Sequence, residues 1–394
     1  MTPAARAAAA IGVLDRYLAG EPVEKALTNW GRASRYAGSG DRAAVRDLVF
    51  DALRCKRSFA AWGGALTGRG LILGGLRAAG HDPALIFTGQ GHAPAEVSDA
   101  DQRRVPVGAE ALDAPDWLMV ELETSLGEQT QAVLTALQKR APVFLRVNLG
   151  KATVAEATAA LAAEGIIATT HPLAATALEV TANARKVQTS SAYLGGLVEL
   201  QDASSQAVVA ALPLADGMRV LDHCAGGGGK TLAMAARARM TLFAHDIQPR
   251  RMADLPARAD RAGVTVTLTA APEMQAPYDL VLVDVPCSGS GSWRRDPEGK
   301  WALTAARLDA LVAVQAEVVQ RAAAMVAAQG TLVYATCSLL SRENGGQIAA
   351  FLRRNPHWQL VKDAAFSPVS GGDGFYLALL TQKDQHPTQP AVVF

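Results

Sequence analysis

The segment Val220-Leu221-Asp222-His223-Cys224-Ala225-Gly226-Gly227-Gly228-Gly229-Lys230-Thr231 constrains this chain more than any other, because a strand-like apolar run passes through four successive glycines into a helical pattern. Residues without Cβ let the backbone turn tightly and approach a ligand, and the helix that follows directs its first amides at negative charge. The surrounding sequence supplies a sheet for such a turn. Between 217 and 382, short apolar strands at 219–221, 241–245, 280–283 and 331–335 alternate with helical stretches, the clearest running through Leu308, Leu311, Val312, Val318, Val319 and Ala322. That alternation predicts an α/β fold, a doubly wound Rossmann-like parallel sheet with helices on both faces.

Three ligand classes compete for the glycine turn. A phosphate loop ending in Gly229-Lys230-Thr231 requires glycine where Cys224 stands, and the dinucleotide pattern fails because Thr231 or Leu232 occupies its third glycine position. An S-adenosylmethionine site of the same architecture needs only a tight turn for the amino-acid end of the cofactor and an acid ending the second strand for the ribose. Asp246 follows the strand at 241–245 and supplies that acid, although a carboxylate there could also simply cap the next helix.

Four cysteines, Cys55, Cys224, Cys287 and Cys337, are scattered without a Cys-x-x-Cys pair and with only seven histidines, so neither a disulfide framework nor a metal site is expected. They read as reduced thiols of a cytoplasmic protein. An isolated cysteine is ordinarily packing. Here, however, Asp284-Val285-Pro286-Cys287 and Thr336-Cys337-Ser338 each end a strand, and in parallel sheets the carboxyl ends of strands form the ligand crevice. Two thiols and an acid beside a cofactor turn suit methyl transfer to C5 of a pyrimidine. That carbon is a poor nucleophile until a thiolate adds to C6, and the adduct then needs an acid at N3 and help in expelling the thiol.

At 394 residues the chain calls for more than one core. Residues 1–80 form a helical pattern with twelve Lys/Arg against six Asp/Glu, a basic end that suggests an anionic partner within a chain whose formal net charge is only +1. Residues 81–115, rich in Gly, Pro, Asp and Ala, read as a linker or ordered wrap. Residues 116–200 read as a small α+β lobe, in which a β-rich run at 142–148 leads to a helix over 154–163 opened by Thr153 and Glu156 as a capping box, and then to a βαβ-like return near Ile166. The methyltransferase-like region covers 201–383, and 384–394 is a loosely ordered tail. The apolar start at 7–14 stops at Asp15 without a cleavage site and is read as a helix, and no apolar stretch is long enough to span a bilayer.

These residues resemble the Sun-type (Fmu-type) family of RNA cytosine-C5 methyltransferases, in particular its bacterial ribosomal RNA members. The resemblance rests on Asp222 to Thr231 as the cofactor loop, Asp284-Val285-Pro286-Cys287-Ser288-Gly289, Arg294-Arg295-Asp296-Pro297, Lys300-Trp301, Thr336-Cys337-Ser338 and Glu343-Asn344. Gln201-Asp202-Ala203-Ser204-Ser205-Gln206, Leu145-Arg146-Val147-Asn148 and Gly372-Asp373-Gly374-Phe375 also fit. It implies that Cys337 attacks C6, that Cys287 assists product release, and that Asp284 contacts the base at N3 beside the cofactor. It further implies that Cys224, Ala225, Gly226, Gly227, Gly228, Gly229 and Lys230 hold the methionine moiety of S-adenosylmethionine and Asp246 its ribose. The substrate implied is RNA, from small-subunit ribosomal RNA, acted on by a monomer without membrane attachment.

Two departures stand out. Gly227 replaces the family's usual proline, which loosens the turn. The acid that meets the adenine amine is missing from Thr269-Ala270-Ala271-Pro272, which leaves adenine to apolar or backbone contacts. The N-terminal helices look like a NusB-type RNA-binding domain, with Arg42, Arg46, Arg54, Lys56 and Arg57 as phosphate contacts and Arg294 and Arg295 as further RNA-facing residues. Two rivals are a noncatalytic RNA-binding assembly factor that retains the fold, against which the intact Cys287, Cys337 and Asp284 argue, and a nucleotide-binding protein, which Cys224 disfavours.

Overall fold

The computed structural model describes residues 1–383, so the tail expected at 384–394 lies outside the described residues. The chain divides into two compact units, Met1–Ala141 with Ser292–Ala305, and Pro142–Gly291 with Ala306–Phe394.

The first unit is helical, as its spacing predicts: α1 (Pro3–Leu18), α2 (Val23–Ala33), α3 (Ser39–Arg54), α4 (Lys56–Gly63), α5 (Gly68–Ala78), α6 (Asp116–Leu126) and α7 (Thr130–Leu137). Thr2 opens α1 by accepting from the Ala5 amide, with Pro3 at the first helical position where its missing N–H is not needed. Ala10, Leu14, Val45, Val49, Leu53, Leu71 and Leu73 close one core from α1, α3 and α5. The Gly/Pro-rich segment after α5 is an ordered wrap. Arg69 grips Asp101 and the carbonyls of Ala95 and Glu96, and Arg77 holds the carbonyls of Trp62 and Asp101. The unit continues past this wrap because Gln138 donates to Asp113 and to the Ala111 carbonyl, and Arg140 pairs with Asp47.

In the second unit, β1 (Val143–Val147), α8 (Val154–Ala163), β2 (Ile167–Thr170), β3 (Ala177–Ala182), α9 (Ser191–Leu194) and β4 (Val198–Leu200) form the small lobe. Thr153 and Glu156 complete the expected capping box at α8. The sheet order is β2-β3-β1-β4 with antiparallel neighbours throughout, so β3 lies between the two strands that α8 connects. The β1–α8–β2 return is therefore split by an intervening strand rather than forming an adjacent parallel pair. This difference was not legible because β3 contributes only a short apolar alternation.

The larger sheet follows α10 (Ala203–Ala210) and contains β5 (Arg219–Asp222), β6 (Thr241–Ala244), β7 (Thr267–Leu268), β8 (Tyr278–Asp284), β9 (Val326–Thr336), β10 (Trp358–Phe366) and β11 (Phe375–Gln382). Between these strands run α11 (Gly229–Ala235), α12 (Leu255–Ala262), α13 (Pro297–Ala302, in the first unit), α14 (Ala305–Ala323) and α15 (Gly345–Arg354). The order is β10-β11-β9-β8-β5-β6-β7. The five strands from β9 to β7 are parallel, and β11 returns antiparallel between β9 and β10. The sheet is thus doubly wound with an antiparallel edge hairpin.

Because successive strand residues face opposite ways, each strand feeds two cores. Leu221, Phe243, Val281, Val283, Leu332 and Tyr334 pack with Val319 of α14 and with Ile348 and Phe351 of α15. Val220, Leu242, Leu280, Leu282, Val333 and Ala335 pack on the other face with Val208 and Val209 of α10 and Ala233 and Met234 of α11. Continuing that alternation past the last paired residues puts Asp222, Asp284 and Cys337 on the α11 side of the sheet, all at its carboxyl edge.

Candidate active site

The turn after β5 forms because two of its glycines take left-handed conformations that other residues rarely adopt. Gly226 has φ +51° and Gly228 φ +80°, and a Cβ on Gly228 would stand 2.2 Å from Leu255 Cδ1 of α12. The other faces of the turn are tied down: Gly226 donates to Asp246 Oδ2 at 3.0 Å, Ala225 donates to the His245 carbonyl, and Arg258 reaches the Gly227 carbonyl. Arg258 takes over part of the stiffening that a proline at Gly227 would supply. Asp246 is 2% exposed, and its second oxygen accepts from the Gln248 amide at 2.9 Å. Arg251 stands 3.3 Å from the same carboxylate. Oδ1, which accepts one bond, retains a lone pair for a further donor.

Asp222 ends β5 fully buried. One of its oxygens accepts from the Thr231 hydroxyl at 2.6 Å, and the other, Oδ1, has no partner. Burial pushes its carboxyl up to about 6. Beside it, Lys230 bridges to the next strand, its Nζ 2.6 Å from Asp284 Oδ2 and 4.9 Å from the centre of the Phe375 ring. Burial works against the ammonium, but the charge and hydrogen bond of Asp284, joined by Cys337 and Asp222, outweigh it and hold Lys230 above its ordinary value. The structure thus joins Lys230, expected at the methionine end of a cofactor, to Asp284, expected beside that cofactor.

The two sulfurs meet. Cys287 Sγ lies 3.4 Å from Cys337 Sγ, although the residues are fifty positions apart and leave different strands. The hydrogen bond to Cys337, then burial, and then charge on Cys337 and Glu343 push the Cys287 thiol well up. The other two cysteines are elsewhere: Cys224 sits in the glycine turn, its thiol raised by burial, and Cys55 donates to the Gln138 carbonyl within the first unit.

Glu343 and Asn344 were noted only as a motif, and the structure shows what they do. Glu343 is wholly buried, and its oxygens accept from the Ser288 amide at 2.8 Å, the Gln315 side chain at 2.9 Å, and the Ser288 and Ser338 hydroxyls. Asn344 accepts from the Thr336 hydroxyl at 2.6 Å and donates to the Ser338 carbonyl at 2.9 Å. Gln315 also donates to the Pro286 carbonyl at 3.0 Å. Nothing in the sequence around Gln315 marks it, since it sits midway along an amphipathic helix.

The expected RNA contacts fare differently. Arg46 is bidentate on Glu24 and lies over the Phe50 ring, Arg57 is bidentate on Asp116, and Arg42 donates to the Ala37 carbonyl. Arg54 donates to the Arg294 carbonyl at 2.7 Å. Lys56 lies 4.2 Å from the Trp301 ring centre, and burial, with Arg57 nearby, brings its ammonium down to about 8. Arg294 is 4% exposed, so its guanidinium is not displayed on the surface, whereas Arg295 is exposed. Among the described residues no His/Cys/Asp/Glu group could hold a metal ion, and no helix is long and apolar enough to cross a membrane.

A family model described as 16S rRNA methyltransferase RsmB/F matches residues 209–386, and one for the ferredoxin-like domain of RsmF/B-like methyltransferases matches residues 114–188. A ribosomal RNA small subunit methyltransferase B from Xanthomonas campestris pv. campestris is 35% identical over 303 residues, covering 71% of this chain and 69% of that protein. The protein of the same name from Klebsiella pneumoniae subsp. pneumoniae is 35% identical over 287 residues, covering 68% and 66%. The chain thus matches about two thirds of the length of these relatives. Among solved structures, PH0851 superposes with a TM-score of 0.77 at 23% identity over 97% of this chain and 99% of that one. NSun6 from Pyrococcus horikoshii with SFG gives 0.60 at 18% identity over 68% and 99%. These likenesses establish a shared fold.

Proposed function

The chain belongs to the RsmB/F family of 16S rRNA methyltransferases, and on that footing we propose that it transfers a methyl group from S-adenosylmethionine to C5 of a cytosine in small-subunit ribosomal RNA. The observation that carries this reading is the 3.4 Å approach of Cys287 and Cys337 beside the Lys230–Asp284 pair.

The residues of the glycine turn fit the donor. Gly226 and Gly228 take the positive φ that folds the turn at the strand end, Asp222 Oδ1 is a buried acceptor without a donor, and Asp246 Oδ1 accepts one bond, from the Gln248 amide. The turn, with Cys224, Ala225, Gly227 and Gly229, would hold the methionine end, Asp222 its ammonium, and Asp246 the ribose. When bound, the cofactor supplies an electrophilic methyl group.

The remaining chemistry belongs to the protein. Cys337, on the same side of the sheet as the Lys230–Asp284 pair, is the sulfur that adds to C6. Asp284, held at Oδ2 by Lys230, addresses N3 and stabilises the ring as C5 becomes nucleophilic. Cys287 remains a thiol because its hydrogen bond to Cys337 and its burial oppose ionisation. It stands 3.4 Å from the sulfur that must leave, so as the C6–sulfur bond breaks it can pass its proton to Cys337 and take in exchange the proton that C5 loses. The target base has to be unstacked to reach the thiol, at a cost of about a few kcal/mol, which favours a loop or bulge.

The test is methylation of ribosomal RNA with labelled donor, with bisulfite mapping of RNA from cells lacking the protein. The reading requires one cytosine to lose protection. With Cys287→Ala, a protein–RNA adduct resistant to denaturation should accumulate. Normal turnover in Cys337→Ala would overturn the assignment of the nucleophile.

A further inference from the structure

Two loops that are far apart in sequence must hold two sulfurs at 3.4 Å without letting them become equivalent. Glu343 and Asn344 divide that work. Asn344 takes both flanks of Cys337, the Thr336 hydroxyl and the Ser338 carbonyl. Glu343 takes the far flank of Cys287 through the amide and hydroxyl of Ser288, while Gln315, bonded to the same carboxylate, holds the Pro286 carbonyl on the near flank. The second oxygen of Glu343 also accepts from Ser338, so one carboxylate touches the residue that follows each cysteine. Further bonds join the loops directly, with Leu339 donating to Ser290 Oγ at 2.8 Å and Gly291 to the Cys337 carbonyl at 2.9 Å.

A buried charge is costly, and a neutral residue could have braced two loops. The donor set explains why a carboxylate is used. Two N–H groups and two hydroxyls converge on Glu343, and only an ionised carboxylate accepts from all four without presenting a donor of its own. The bonds to that carboxylate are not divided evenly, because Ser288 beside Cys287 gives it both an amide and a hydroxyl, whereas Ser338 beside Cys337 gives it a hydroxyl alone.

We propose that Glu343 is the positioning residue that fixes the spacing of the two sulfurs and makes them unequal, so that Cys337 attacks and Cys287 serves as its proton partner. This rests on the methyltransferase reading for its consequence in turnover, but the effect of Glu343 on the Cys287 thiol can be tested without any turnover. The raised thiol of Cys287, to which Glu343 contributes, points the same way.

The experiment uses the full chain carrying Cys337→Ala, with and without Glu343→Gln, and follows alkylation of Cys287 by iodoacetamide between pH 6 and 10, with peptide mass spectrometry reading that site alone. The expected result is that Glu343→Gln moves the midpoint of Cys287 alkylation down by about one unit and raises its rate at pH 8 roughly tenfold. An unchanged midpoint would overturn the proposal. A midpoint that moves equally with Asn344→Asp, which keeps a side chain of the same size but alters the Cys337 brace, would overturn it too. With Cys337 present, Glu343→Gln should lower kcat about tenfold or more while KM for RNA stays within about threefold. If the native protein methylates no RNA while the alkylation midpoint still shifts, the methyltransferase reading fails and the positioning role stands.

Discussion

At the carboxyl edge of the large sheet, buried polar groups converge with their bonding capacity unfilled. Asp222 Oδ1 and His223 Nδ1 have no partner, and two thiols face each other. In the helical unit several charged side chains pair with one another: Arg46 with Glu24, Arg57 with Asp116, Arg69 with Asp101 and Arg140 with Asp47. Buried polar groups are nearly always satisfied in folded proteins, so an unfilled acceptor beside the glycine turn has room for a ligand's donor, whereas a paired cation is already occupied. A count of arginines therefore does not show how many are already engaged, and a count of strand-end thiols does not show which of them meet.

The sharpest way to test this contrast is Cys337→Ala, which should leave the fold and adenosylmethionine binding intact by calorimetry and lower methyl transfer by about 10³-fold or more. Loss of cofactor binding in that variant would mean that the sulfur is structural.

The next effect is on stability. Burial, then neighbouring His245, holds the imidazole of His223 down to about 4. Between pH 6.5 and 4 the unfolded chain takes up a proton that the folded chain refuses, so stability is lost as pH falls through that window and is unaffected above it, by an order of magnitude of about 3 kcal/mol. Asp222, raised to about 6, acts in the opposite sense over its own window, and stability rises as it protonates. The measurement is therefore a difference: urea midpoints at pH 7 and pH 5 for the native protein and for His223→Gln, with the variant losing less on acidification. Equal losses would show that His223 is already solvated.

Lys230→Met should follow, costing about 2–3 kcal/mol in urea unfolding, below the value for a wholly buried pair because Asp284 is 31% exposed. Unchanged stability would mean that the pair is solvent-screened.

The smallest effect belongs to the helical unit. Arg46→Ala should change stability by less than about 1 kcal/mol, because the Glu24 pair is exposed. It should also alter the slope of log RNA affinity against log salt by less than about 0.5. A change near 0.7–0.9 would mean that Arg46 neutralises a phosphate after all.

Much of the site was legible from residue type at element ends. The capping box at Thr153, the strand that carries Asp284 and the turn through Gly226 and Gly228 are local, fixed by hydrogen bonds or φ values that a few neighbouring residues dictate. What was not legible depends on partners remote in sequence. Glu343 joins Ser288 and Gln315, Lys230 turns to Asp284, and β3 inserts between β1 and β2.

By itself the sequence determined a doubly wound sheet with a glycine turn at one strand end and thiols at two others, because strand alternation and glycine conformations follow from short-range sterics. Only the tertiary structure decided that two of the four thiols meet, that one carboxylate reaches both loops, and that several of the N-terminal cations are paired off within their own unit. Those outcomes follow from packing and from the cost of leaving buried polar groups unpaired, which depends on neighbours that a linear chain does not specify.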